Sequence, residues 1–148
     1  MFPTERKRGI LRSMLAYYNQ SIVLASEIAI SPSDLGMLRG YTLFDVLVVE
    51  HGRAFLWERH YDRLLASALS IGLSVPLSKE RYGEVLSELI KQSETKELVI
   101  RTVLSGGPSV DGFTPDPGHE TFYILTEERH HLAESVYAEG VKLITLSY

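Results

Sequence analysis

Two guanidinium groups and one carboxylate stand where side chains of their type could do chemistry. Arg63 falls in the first turns of an amphipathic segment. A guanidinium there presents a rigid, permanently charged fork of donors that matches a phosphate. The plainer alternative is a surface arginine paired to Asp62 or Glu58. Arg101 lies in Val99-Ile100-Arg101-Thr102-Val103-Leu104, where strand alternation puts it on one face with Val99 and Val103. An arginine flanked by valines is desolvated unless an anion meets it, and a cross-strand acid such as Glu120 would serve. Asp45 is the one charge inside the apolar run 42–49. Buried carboxylates need partners, so it is either a functional acid or half of a structural ion pair, the latter being the simpler reading. Phe44 beside it reads first as core packing.

Other groupings carry less. His119, His130 and His131 with Glu120, Glu127 and Glu128 lack a tetrahedral or facial ligand spacing, and a solvated loop is the preferred reading. Lys7, Lys79, Lys91 and Lys96 fall in helical segments or their polar flanks, and Lys142 shares a strand face with Ile144 and Leu146. Gly106-Gly107 is not followed by a helix, so it is no phosphate-cradling loop.

The elements that must position these groups follow from periodicity. Residues 5–15 have a helical pattern, 16–19 and 22–26 read as strands around Asn19-Gln20, and Ser31-Pro32-Ser33-Asp34 has the form of a helix start. The run 42–49 is almost wholly apolar, which predicts a strand buried on both faces. A turn at His51-Gly52 follows. Trp57, Tyr61, Leu64, Leu65, Ala68 and Leu69 form one helical stripe ending near Gly72. A second helix spans 78–92, with Ser78 as its N-cap. Residues 98–104, 121–126 and 141–146 are strand-like, and a long glycine- and proline-rich loop separates the first two. Two one-sided helices and several strands without strict alternation predict an α+β fold, an antiparallel or mixed sheet with both helices on one face.

At 148 residues the chain fits one domain. With 45% hydrophobic residues and no cysteine, it needs no staple, and disulfides and thiolate chemistry are excluded. A net charge of −4 argues against a nucleic-acid footprint, the one basic cluster being Arg6-Lys7-Arg8 with Arg12. No apolar run approaches the roughly 18 to 20 residues of a membrane helix. A soluble, cytoplasmic protein is expected.

The order Arg39-Gly40-Tyr41 with Phe44-Asp45, then His51-Gly52-Arg53-Ala54-Phe55, then His60-Tyr61-Asp62-Arg63-Leu64 followed by Leu65-Ala66-Ser67-Ala68 resembles the N-terminal half of the fold type IV pyridoxal-phosphate enzymes. These are the class IV aminotransferases, a group with branched-chain and D-amino-acid aminotransferases and aminodeoxychorismate lyase. The resemblance implies that Arg63 holds the phosphate of pyridoxal 5'-phosphate and that Arg101 helps receive a substrate carboxylate. It also places Phe44 and Tyr41 along the substrate pocket. Arg39 stands where relatives often carry an aromatic, and Asp45 is the acid of a Phe-Glu or Phe-Asp pair. Val99 replaces a tyrosine common in branched-chain enzymes, and Ser105 replaces the carboxylate-binding arginine of D-amino-acid enzymes.

The same resemblance implies a Schiff-base lysine shortly after the stretch that residues 140–146 match. The 148 residues contain none at that place. The expectation is therefore the N-terminal domain of an aminotransferase, residues 1–148, inactive by itself and homodimeric, acting on an amino acid and a 2-oxo acid. An exposed apolar patch is expected where a second, lysine-bearing domain would sit. A lyase-like enzyme fragment and a non-catalytic binding module are the alternatives, and the codons beyond Tyr148 would separate truncation from a complete module.

Overall fold

The computed structural model describes residues 14–146. The expected helix at 5–15 and the basic cluster of Arg6, Lys7, Arg8 and Arg12 lie outside the described residues, except that Leu15 already belongs to a strand. In chain order the elements are β1 (Leu15–Tyr18), β2 (Ser21–Leu24), a 3-10 turn (Ala25–Glu27), α1 (Leu35–Arg39), β3 (Thr42–Glu50), β4 (Arg53–Ala54), α2 (Trp57–Ser70), α3 (Lys79–Gln92), β5 (Leu98–Ser105), β6 (Thr121–Glu128) and α4 (Glu134–Glu139). The sheet order is β2-β1-β6-β5-β3-β4, and every described pairing is antiparallel. The fold is thus α+β, and the open choice between antiparallel and mixed resolves to antiparallel.

Local chemistry sets the boundaries. Asn19 and Gln20 have φ of 47° and 64°, and His51 and Gly52 have 51° and 75°. Two consecutive positive φ values give the two-residue hairpin whose twist matches its strands. Asp34 caps α1 through Gly36 N–H at 2.7 Å, and Ser78 caps α3 through Arg81 N–H at 3.2 Å. Helix α2 ends at Ser70, and Gly72 turns left-handed so that Leu73 N–H reaches the Ala68 carbonyl at 2.9 Å.

Helices α2 and α3 bury their stripes on one sheet face. Leu47 and Val49 of β3, Ile100 and Leu104 of β5 and Ile124 of β6 meet Leu64, Ala68, Val85 and Leu89 there. Burying each of these leucines, isoleucines and valines stabilises the fold by about 1.5–3 kcal/mol. Tyr82 is nearly inaccessible at 1% exposure and its hydroxyl shares a 2.8 Å hydrogen bond with Thr102 Oγ1. Burial pushes the Tyr82 phenol up to about 12. The folded state therefore favours the protonated phenol, and that stabilisation is complete below pH 10 and is lost as pH rises towards 12. Unfolding free energies from urea titrations taken from about pH 8 upward should fall as pH passes from 10 towards 12, by an amount of order 2–3 kcal/mol. Tyr82→Phe should flatten the decline, and an equally steep fall in that variant would count against the assignment.

Two expectations fail. The strand at 42–49 is not buried on both faces. Asp45, Leu47 and Val49 are buried, whereas Phe44 is 68% exposed and Val46 and Val48 are only half-buried. Both helices cover the same side, and β4 pairs only with Val49 and Glu50, so most of β3 lies at a sheet margin. Residues 141–146 are not a strand. Val141, Leu143, Ile144 and Leu146 are exposed in no ladder, because an extended run becomes a strand only when a neighbouring main chain takes up its N–H and C=O groups. Lys142 consequently has no strand face to share. The short helix α4 was not legible in the sequence.

Candidate functional site

Strand β3 and helix α2 bring three charged or titratable groups together. Asp45, at 4% side-chain exposure, points to the helix side of the sheet, as the parity of Leu47 and Val49 requires. Its Oδ2 accepts from Arg63 Nε at 2.7 Å, and its Oδ1 lies 2.6 Å from His60 Nδ1. Arg63 Nη2 lies 3.2 Å from that same nitrogen. An unprotonated Nδ1 would face a carboxylate oxygen lone pair to lone pair, so Nδ1–H donates to Asp45 and the Nη2 contact is not a hydrogen bond. The Nε/Nη2 edge of Arg63 is therefore turned to the Asp45–His60 pair, and its Nη1/Nη2 edge is left for other anions.

The Arg63 side chain is 63% exposed, and Asp45 raises the pKa of the guanidinium further through the hydrogen bond and its charge. Asp62, one of the partners the sequence offered for Arg63, instead accepts from Lys79 Nζ at 2.6 Å. Asp45 is thus an ion-pair residue, the simpler of its two sequence readings. His60 is the member the sequence reading passed over. Its signal was the i, i+3 spacing to Arg63, which puts both on one helix face.

Phe44 and Arg101 share the opposite, helix-free face. Val46 is paired with Arg101 and Phe44 with Val103 across β3 and β5, so Phe44 and Arg101 are diagonal neighbours. Arg101 meets an acid, but Glu127 on β6 rather than Glu120: Nη2 to Oε1 is 3.4 Å, with the arginine side chain 44% exposed. Glu120 accepts instead from the Gly118 and Ser74 amides. Neither guanidinium lines the clefts of about 630, 660 and 610 Å³.

Tyr41 and Arg39 are placed apart from that face. The Tyr41 hydroxyl donates to the Ile71 carbonyl beyond the end of α2, and its ring packs against the core. Arg39 donates from Nε to the Gly112 carbonyl at 3.0 Å and lies over the Phe113 ring at 4.1 Å. It fastens the loop between β5 and β6 to α1. Inside that loop, Asp111 accepts from the Thr114 and Phe113 amides and the hydroxyls of Thr114 and Ser109, which hold its carboxyl well below the usual carboxylate range. Lys96 Nζ meets carbonyls at the C-terminal end of α3, among them Ile90 at 2.5 Å. Among the described residues no three His, Asp or Glu side chains are grouped to hold a metal ion, and no helix is long and apolar enough to cross a membrane.

Comparison with known proteins gives a consistent set of likenesses. The model of the family described as "Amino-transferase class IV" matches residues 42–148. A Methanocaldococcus jannaschii protein, provisionally named a branched-chain-amino-acid aminotransferase, is 28% identical over 135 residues, covering 90% of this chain and 46% of that one. The D-alanine aminotransferase of Listeria monocytogenes is 31% identical over 80 residues, 54% of this chain and 28% of that one. Among solved structures, a Brucella abortus aminotransferase bound to the co-factor PLP superposes with a TM-score of 0.72 at 19% identity, covering 82% of this chain and 44% of that one. The branched-chain aminotransferase of Thermoproteus uzoniensis gives 0.64 at 22% identity, with 77% and 39% covered. These structural likenesses establish the fold. The chain spans less than half the length of the curated relatives it matches.

Proposed function

The chain belongs to the class IV aminotransferases, and on that premise we propose that it forms the N-terminal part of a pyridoxal 5'-phosphate-dependent enzyme that moves an amino group from an amino acid to a 2-oxo acid. The observation that carries this reading is the free Nη1/Nη2 edge of Arg63, held by its other edge to a buried carboxylate. A guanidinium with one edge neutralised and one presented to solvent suits a phosphate monoester, which takes two parallel N–H bonds. When bound, the cofactor ring supplies the electron sink that amino-group transfer needs.

The remaining roles are those of this chain's own groups. Arg63 grips the phosphate at the margin of β3. Arg101 receives a substrate carboxylate, exchanging its long contact to Glu127 for a closer anion. Phe44, diagonal to Arg101, covers the apolar part of the substrate. Tyr41 and Arg39 support the pocket indirectly, through the end of α2 and the β5–β6 loop. The lysine-bearing part of the enzyme lies against the helix-free face, whose exposed Phe44 and half-buried Val46, Val48, Val99 and Val103 need a cover. A homodimer in the cytoplasm belongs to the same reading. The relatives named above are aminotransferases, which supports transfer over lyase chemistry.

Equilibrium dialysis of the 148-residue chain against pyridoxal phosphate and against pyridoxal tests the central claim. Preferential uptake of the phosphate ester is expected, and equal affinity would refute it. Sustained transamination is not expected from this chain alone, since Lys79 is engaged by Asp62 and Lys96 caps α3. Steady 2-oxo acid production from an amino acid donor would contradict that.

A further inference from the structure

Arg63 is a long side chain on the second turn of α2, mostly in water. Left alone, its fork would sample many orientations, and a ligand would have to order it. Asp45 supplies one contact. A single carboxylate is a poor aligner, because χ2 of an aspartate is a broad, roughly two-fold torsion and the oxygen facing the arginine can swing away. In this protein the second oxygen is occupied: Oδ1 lies 2.6 Å from His60 Nδ1 while Oδ2 holds Arg63 Nε at 2.7 Å. The two donors come from one helix, three residues apart, and the carboxylate from the strand beneath it. Its plane is thereby set from both sides. His60 is itself confined, at 19% side-chain exposure.

We propose that Asp45 and His60 form a positioning pair that fixes the guanidinium plane of Arg63, so that its outer edge is ready for a phosphate dianion. His60 touches no ligand in this scheme. It acts through Asp45, by closing the carboxylate rotation that would otherwise release the arginine. The functional half of the inference rests on Arg63 being the phosphate ligand, and the positioning half does not.

The two halves are separated by reading Arg63 directly. In the 15N-labelled 148-residue chain, the Arg63 Nε–H vector should have an order parameter of roughly 0.8, close to rigid backbone, with no phosphate present. In His60→Ala it should fall below about 0.6. His60→Asn, whose amide nitrogen can stand in for Nδ1 as donor, should restore the ordered signal. Inorganic phosphate titrated against the same resonance should bind about tenfold more weakly to His60→Ala than to the wild type, with recovery in His60→Asn. An Arg63 vector equally ordered in all three proteins overturns the positioning pair, as does unchanged phosphate affinity in a disordered His60→Ala. A wild-type chain with an ordered Arg63 and no phosphate response refutes the phosphate assignment instead. If His60→Ala fails to fold, Asp45→Asn reads the same contact: a folded Asp45→Asn with an ordered Arg63 overturns the proposal, and loss of order supports it.

Discussion

Arg63→Ala is expected to erase most of the preference for pyridoxal phosphate over pyridoxal. A bidentate, charge-assisted contact contributes of order 1.5–3 kcal/mol, so the ratio of the two affinities should drop roughly 10- to 150-fold. Affinity for unphosphorylated pyridoxal should hardly move. Arg63→Lys is the informative companion, because it keeps the charge and loses the fork. It should fall between wild type and alanine. Asp45 is buried and keeps only His60 as a partner when the arginine is removed, so Arg63→Ala should also lose stability, and a thermal melt must show it folded before the ratio is read. Equilibrium dialysis of the three proteins reads the outcome. A ratio that stays put in Arg63→Ala would remove phosphate from this site.

Gly107→Ala should be the most damaging single methyl group in the β5–β6 loop. Gly107 has φ of +70°, and a Cβ there would stand 2.0 Å from the His119 carbonyl oxygen and 3.1 Å from Glu120 Cα. Those atoms are backbone at the entrance to β6, so no side-chain rotation relieves the overlap. Gly107 also joins two elements: its carbonyl accepts from Leu35 N–H at 2.9 Å and its N–H reaches Ser105 Oγ at 3.2 Å. The left-handed backbone costs an alanine about 1–2 kcal/mol and the overlap a further 1–3 kcal/mol. A melting temperature lower by about 10 °C follows for a domain of this size. Gly118→Ala is the control. Its φ of +86° carries the backbone cost, but nothing lies within 4 Å of the added carbon. Thermal melts should show the larger loss for position 107, and equal losses would mean that the approach to His119 is not rigid.

The buried Asp34 shows what a local pattern leaves out. Ser31-Pro32-Ser33-Asp34 reads as a helix start with Pro32 in the first turn, whereas α1 begins only at Leu35, with Asp34 as its cap. At 1% exposure it also accepts from Ser105 Oγ at 2.7 Å and from Thr121 Oγ1, tying the end of β5 and the start of β6 to that cap. Ser105 was notable in the sequence only for not being an arginine. Its hydroxyl instead serves this buried carboxylate, a partner 71 positions away that no local pattern announces.

What the sequence determined by itself were the features that a few neighbouring residues decide. The helical stripes of α2 and α3, the cap at Ser78, the turns at Asn19-Gln20 and His51-Gly52 and the alternation that sets Arg101 apart from Ile100 and Thr102 are of this kind, because backbone geometry and side-chain period act over one or two turns. Tertiary structure alone decided which face of β3 is covered, that residues 141–146 find no strand to join, that Arg101 meets Glu127, and that Asp45 gathers His60 and Arg63. Each of these depends on where a second segment arrives, and an apolar or charged side chain states a need for a partner without naming the one that meets it.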